Sequence, residues 1–209
     1  MKKESVAVEN LLPFSIVCEK CSKSIDVVLD SFLCSNCGCL NSINSIDYFS
    51  YLKLPVSINI NLDNLETNYL LLMTVYHPDK YSKNNEYYSQ AIQHSSFLNN
   101  AYNILKDSLL MLGYYYFLHY NKHLLEEGKM LYNNVLNIEF LEYYEMIDEA
   151  DKTTLFTILE DFQKKHQDIL AIFHTIDIKT NPELFEENYI HLKYIVRLIE
   201  FCQNKIGKL

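Results

Sequence analysis

The sequence predicts a mostly α-helical chain: a small cysteine-bearing module, then a helical hairpin, then a C-terminal three-helix bundle. Three observations predict this class. Apolar residues recur at three- and four-residue spacing from about residue 48 onward. Only 4 Gly and 4 Pro occur in 209 residues, too few for the frequent turns of an all-β fold. Five of the six cysteines fall before residue 46, in a stretch rich in Ser, Asn and Asp. The expected division is 1–46, 47–120 and 121–209.

In the first segment, Cys18-x2-Cys21 and Cys34-x2-Cys37 form two knuckles separated by 12 residues. Each offers two sulfurs to one ion, and four thiolates in a tetrahedron suit zinc in a closed, structural site. Ile25, Val27 and Leu29 alternate with polar neighbours, so the intervening stretch is expected to loop back as a hairpin. A segment this short, with so small a core, needs such a staple. The spacing alone also admits redox or iron–sulfur ligation, and Cys39 competes with Cys37 as the fourth ligand. Gly38, suited to a tight turn, favours the 18/21/34/37 set. Disulfides are disfavoured without a secretory signal.

In the second segment, Tyr48, Phe49, Leu52 and Leu54 before Pro55 give a short helix. Leu62, Leu65, Tyr69, Leu72, Met73 and Tyr76 then form one apolar face, with Asn61 or Asp63 as cap. Tyr76-His77-Pro78 ends that helix, because proline removes a donor and keeps the preceding residue from helical angles. His77-Pro78-Asp79-Lys80 thus exposes an imidazole, a carboxylate and an ammonium with no nucleophile beside them, a contact surface rather than a reaction centre. A second stripe, Tyr87, Ala91, His94/Ser95, Leu98, Ala101, Tyr102 and Leu105, packs back as an antiparallel partner.

The last segment reads as helix broken near Glu127-Gly128, Ala150-Asp151 and Thr180-Asn181-Pro182. Leu155, Leu159, Phe162, His166, Ile169 and Phe173 make one stripe. Phe185, Tyr189, Leu192, Ile195, Ile199, Cys202 and Ile206 make another, with Asn181-Pro182 as N-cap and first turn. Asn137 to Glu149 supplies a third helix. Cys202 reads as a small buried hydrophobe. The other histidines show no ligand spacing.

Net charge is −9, and residues 121–209 hold 10 basic and 16 acidic groups. This excludes general nucleic-acid binding, which needs a basic face. It leaves two readings for the acidic C-terminal part: a solvated face, or a surface for a basic partner. No apolar run approaches the roughly 20 residues that span a bilayer. The first residues lack a secretory apolar region and a convincing mitochondrial presequence, so the expectation is a soluble, intracellular protein.

At His77-Pro78-Asp79 the chain resembles J-domain co-chaperones, and further matches narrow this to the HscB family of iron–sulfur cluster co-chaperones. Asp47-Tyr48-Phe49-x2-Leu52-x-Leu54-Pro55 is similar to the family's J-domain opening. Leu98-Asn99-x-Ala101-Tyr102-x2-Leu105 is similar to its third-helix signature. Leu141-Glu142-x2-Glu145-x2-Asp148-Glu149 is similar to the acidic stretch opening its C-terminal bundle. Eukaryotic members also place a tetracysteine zinc module first. The resemblance implies a non-enzymatic adaptor in which His77, Pro78 and Asp79 activate the ATPase of a heat-shock-70 chaperone. Leu141, Glu142, Glu145, Glu149 and Tyr194 would bind an iron–sulfur scaffold protein, and Cys18, Cys21, Cys34 and Cys37 would hold structural zinc. It implies a mitochondrion or mitosome, with the cytoplasm as alternative. The runner-up functions are a general J-domain co-chaperone or a metal-handling redox protein. The chain departs from the family in two places. The helix before His77 has no Lys or Arg, leaving Lys53, Lys80 and Lys83 nearby, and Asn137-Ile138 only partly keeps the apolar residues ahead of the acidic stretch.

Overall fold

The computed structural model describes residues 15–26, 32–43, 46–81, 85–124 and 134–208. Expectations for Val27, Leu29, Lys83 and the break at Glu127-Gly128 lie outside the described residues. The chain divides into two compact units, Met1–Ser108 and Leu109–Leu209.

The first unit begins with two short antiparallel strands, β1 (Ser15–Val17) and β2 (Ser24–Asp26), with Ile16 opposite Ile25. Both isoleucines point inward, as period-two alternation demands. The strands flank the first knuckle, and Ile25 pairs back across it with Ile16. The second knuckle is closed by a lone antiparallel bridge, Leu33 to Leu40.

Helix α1 (Tyr48–Tyr51) is capped by Asp47, whose carboxylate accepts the Ser50 N–H at 2.9 Å. Helix α2 (Leu62–Tyr76) is capped by Asn61, whose side chain accepts the Asn64 N–H at 2.9 Å. It buries Leu65, Leu72 and Tyr76. Leu62, expected on that face, is 56% exposed because it occupies the first turn, before the helix meets its partner. Helix α3 (Asn85–Lys106) returns alongside α2, burying Tyr87, Ala91, His94, Leu98, Ala101 and Leu105.

The second unit comprises α4 (Ser108–Tyr120), α5 (Asn134–Glu149), α6 (Lys152–Phe173) and α7 (Pro182–Ile206). Its core joins Ile147, Leu155, Ile158, Phe162, Ile195, Leu198 and Cys202. The Cys202 thiol donates to the Leu155 carbonyl at 3.3 Å, so it is a buried structural group. α4 packs on α7 through Gly113: a Cβ there would lie 2.7 Å from the Tyr189 hydroxyl oxygen, which is why the position has no side chain. Asp151 caps α6, accepting the Thr154 N–H at 2.8 Å. Asn181 does not cap α7 through its side chain. Its backbone is at φ −133°, ψ 59°, and its amide donates to Thr180 Oγ1 instead. Among the described residues, no helix is long and apolar enough to cross a membrane.

Candidate metal centre and contact surfaces

The two knuckles are built alike. In the first, Ser22 N–H donates to Cys18 O at 2.9 Å and Cys18 N–H to Lys23 O at 2.8 Å. In the second, Gly38 N–H donates to Cys34 O and Cys34 N–H to Cys39 O, both at 2.8 Å. Each turn needs a left-handed residue after its second cysteine. Gly38 takes φ +70° at no steric cost, and Ser22 takes φ +58° against its own Cβ.

This folding brings together the Sγ atoms of Cys18, Cys21, Cys34 and Cys37, all within 4.8 Å of one another. Cys18 and Cys37 sulfurs are 3.6 Å apart, and those of Cys21 and Cys34 are 3.7 Å apart. A tetrahedron with metal–sulfur bonds of about 2.3 Å has edges of about 3.8 Å, so the spacing fits a four-sulfur metal site of zinc size. Cys39 is buried but outside this set, so the geometry groups Cys37 rather than Cys39 with the other three. Burial raises the Cys18 thiol, but the Cys21 and Lys20 backbone N–H groups and the adjacent sulfurs outweigh it, bringing the thiol down to about 6. The Lys23 N–H, then the Asn36 amide, lower Cys21. At Cys37 the Cys39 N–H pulls down, yet burial and three neighbouring sulfurs push the thiol up to about 12. A cation among the four sulfurs would let all of them ionise together, Cys37 included.

The module is anchored to the hairpin through a dry junction that the sequence did not reveal. His94 is fully buried. Its Nε2–H donates to the Asn41 carbonyl at 2.7 Å, and its Nδ1 accepts from the Tyr51 hydroxyl at 2.7 Å. That pairing fixes one neutral tautomer, because a carbonyl only accepts. The ring stacks on Tyr76 with centroids 4.5 Å apart and lies 4.9 Å from Phe32. Burial holds its pKa down to about 4, against the Asn41 carbonyl, which favours the charged form. At the rim, Lys20 donates to the Tyr87 hydroxyl at 2.9 Å and meets Glu86 at 3.4 Å. The signal for His94 was present as a histidine inside an otherwise apolar stripe.

His77, Pro78 and Asp79 are brought together at the exposed end of α2. His77 N–H closes the last helical bond to Met73 O at 3.0 Å, and Pro78–Lys80 make one tight 3₁₀ turn. His77 Nδ1 accepts the Asp79 N–H at 3.3 Å, with the Asp79 carboxylate 3.6 Å away. The two side chains are 50% and 88% exposed. Tyr81 clamps the turn from behind, donating to Val75 O at 3.0 Å. The outward face of α2 that runs into this turn carries Leu70, Leu71 and Thr74, all exposed, where a basic face would otherwise lie.

On α5, Leu141 is 62% exposed, beside Glu142, Glu145 and Glu149, all exposed. At 100° per residue these four, with exposed Ile138, share one stripe. Leu141 is therefore not a core residue. Tyr194 does not join that stripe. It is 8% exposed on α7 and packs on Phe140, ring centroids 5.1 Å apart, on the inward side of α5. There it lines a cavity of about 260 Å³ with Tyr143, Ile169, Ile195 and Leu198.

No family model matches the chain. Curated relatives include the co-chaperone protein HscB of Proteus mirabilis, 25% identical over 161 residues, covering 74% of this chain and 92% of the relative. The HscB homologue of Acinetobacter baylyi is 28% identical over 166 residues, covering 78% and 88%. Among solved structures, human co-chaperone HscB aligns with a TM-score of 0.74 at 24% identity, covering 86% of this chain and 92% of that one. HscB from Vibrio cholerae aligns at 0.66 and 19%, covering 78% and 99%. The resemblance drawn from the motifs is thus shown in sequence, and the mostly helical fold is shared.

Proposed function

We propose that this chain, similar to HscB co-chaperones over about three quarters of its length, is itself a non-enzymatic co-chaperone of iron–sulfur cluster biogenesis. The observation that carries the reading is the exposed His77-Pro78-Asp79 turn, rigidly closed at the end of α2 in a chain whose relatives are named co-chaperones. In this reading His77, Pro78 and Asp79 stimulate the ATPase of a heat-shock-70 chaperone. The α5 stripe of Leu141, Glu142, Glu145 and Glu149 delivers an iron–sulfur scaffold protein, with Tyr194 supporting it through Phe140. An exposed leucine ringed by three carboxylates suits a basic partner surface with an apolar anchor point. Residues 1–46 serve as the metal module, 47–120 as the J-domain and 121–209 as the scaffold-binding bundle.

Cys18, Cys21, Cys34 and Cys37 would hold zinc, and four sulfurs close its coordination, so the ion supplies a structural cross-link. The compartment we infer is a mitochondrion or mitosome, with the cytoplasm as the alternative that fluorescent localisation decides. The deciding experiment measures ATP turnover of the cognate chaperone with wild type and His77→Gln. Stimulation by the first and none by the second supports the proposal, whereas equal stimulation by both sinks it. Because α2 carries no Lys or Arg, stimulation should vary little with ionic strength.

A further inference from the structure

We propose that Asn41, His94 and Tyr76 form a buried relay of positioning residues, through which metal loading of the four-sulfur site sets the order of the His77 turn. The inference rests on the reading of that turn as the chaperone contact and on the fit of the sulfurs to a metal.

The relay is continuous. Asn41 ties both knuckles together: its Oδ1 accepts the Glu19 N–H at 2.9 Å, and its Nδ2 donates to Phe32 O at 2.9 Å. Its carbonyl receives the His94 proton at 2.7 Å. Phe32 N–H, two residues before Cys34, donates to the Tyr76 hydroxyl at 3.0 Å. Tyr76 is the last residue of α2, one peptide bond from His77. Asn41, His94, Phe32 and Tyr76 are each at most 1% exposed. In such a dry junction every polar group depends on its partner, since an orphaned one has no water to turn to. When the cation leaves, the cross-link that joins the two knuckles is lost and the second knuckle loosens. Phe32 and Asn41 then withdraw: Tyr76 at the end of α2 loses the Phe32 N–H, and the His94 ring stacked on it loses the Asn41 carbonyl that orients it. Linkage requires the converse: a chaperone that holds the turn ordered slows metal loss.

Amide hydrogen exchange on the full-length protein tests this, comparing the zinc-loaded chain with the same chain stripped by a chelator. The expected result is exchange roughly tenfold faster or more at His77, Lys80 and Tyr81 after stripping, while Ala91–Leu105 of α3 and all of α6 and α7 keep their rates. Unchanged exchange at the turn overturns the proposal. So does an equal rise across α3, which would make the metal a general staple of the unit. Tyr76→Phe keeps the ring and removes the hydroxyl; its turn should exchange fast even with zinc bound, and stripping should add little. His94→Gln gives a second, independent cut, and a full metal response in both variants overturns the relay. Chaperone stimulation is read in parallel. If zinc-loaded wild type gives none while the exchange coupling is present, the co-chaperone reading fails and the relay stands.

Discussion

The His94 junction makes the stability of the first unit depend on pH in a way that can be worked out. In the folded protein burial holds the imidazole neutral, with its pKa down at about 4, while in the unfolded chain it titrates at about 6.5. The folded pKa is depressed, so below pH 6.5 the unfolded state binds a proton that the folded state refuses. The stability is therefore fully present above pH 6.5 and is lost as pH falls from there toward 4. The whole effect is about 3 kcal/mol, and about 2 kcal/mol of it is gone between pH 7.5 and pH 5. Protonation of cysteine ligands weakens the unit over the same range, so wild type alone does not isolate the histidine. His94→Gln does, because glutamine removes the ring and does not titrate. Urea unfolding with zinc present, followed by far-ultraviolet circular dichroism, should show wild type ahead at pH 7.5 and the gap shrinking by about 2 kcal/mol at pH 5. A gap that stays constant across this range would refute the assignment of a neutral, buried His94.

Gly38→Ala places no atom within 4 Å of a neighbour, so its cost is backbone strain alone; a loss of about 1–2 kcal/mol in zinc-loaded stability is expected. Gly113→Ala drives a methyl against the Tyr189 hydroxyl and should cost about 1–3 kcal/mol in denaturant unfolding, with Tyr189→Phe in the same chain recovering part of it. Asp151→Ala removes two acceptor contacts at the start of α6 and should cost about 1 kcal/mol, whereas Asn181→Ala should be nearly neutral. The Asp151 carboxyl is held below its ordinary value by the Thr154 N–H first. Its contribution is therefore present at neutral pH and disappears as the carboxylate protonates in acid. Reversing Glu142 and Glu145 to lysine alters exposed side chains only; it should leave the melting temperature unchanged while abolishing co-purification with an iron–sulfur scaffold protein.

The helices were legible because their signals are local and periodic. The steps of three and four in α6 and α7 name most of the buried residues, missing Ile158, Tyr194 and Leu198, and Pro78 and Pro182 mark a helix end and a helix start through backbone geometry alone. The knuckles were legible for the same reason: two cysteines three residues apart fix a turn. The strand partner of Ile25 was hidden because the stretches on either side of it both offer alternating residues. Only pairing across the first knuckle, Ile16 to Ile25, shows which one it uses. Asn181 does occupy the N-cap position ahead of Pro182, and what its name could not carry is that its side chain turns to Thr180 rather than to the helix.

What stayed hidden in the functional surfaces is what depends on contacts between distant segments. A histidine in an apolar stripe has the same one-dimensional pattern whether it is a satisfied core group or a junction. The distinction at His94 comes from Asn41, 53 residues away, whose carbonyl happens to meet the ring. Leu141 and Tyr194 show the same limit in opposite directions. Both are large apolar residues at helical spacing, yet α5 turns Leu141 outward to 62% exposure and α7 turns Tyr194 inward to 8%. The family motif grouped them on one face, and the geometry separates them: Leu141 and the glutamates form the outer surface, while Tyr194 supports α5 from beneath through Phe140. Substitution should therefore act through different quantities at the two sites. Leu141→Ala lowers partner affinity at constant stability, whereas Tyr194→Ala removes a buried ring and lowers the stability of the second unit by about 3–5 kcal/mol. Equal melting temperatures for the two variants would return Tyr194 to the outer surface.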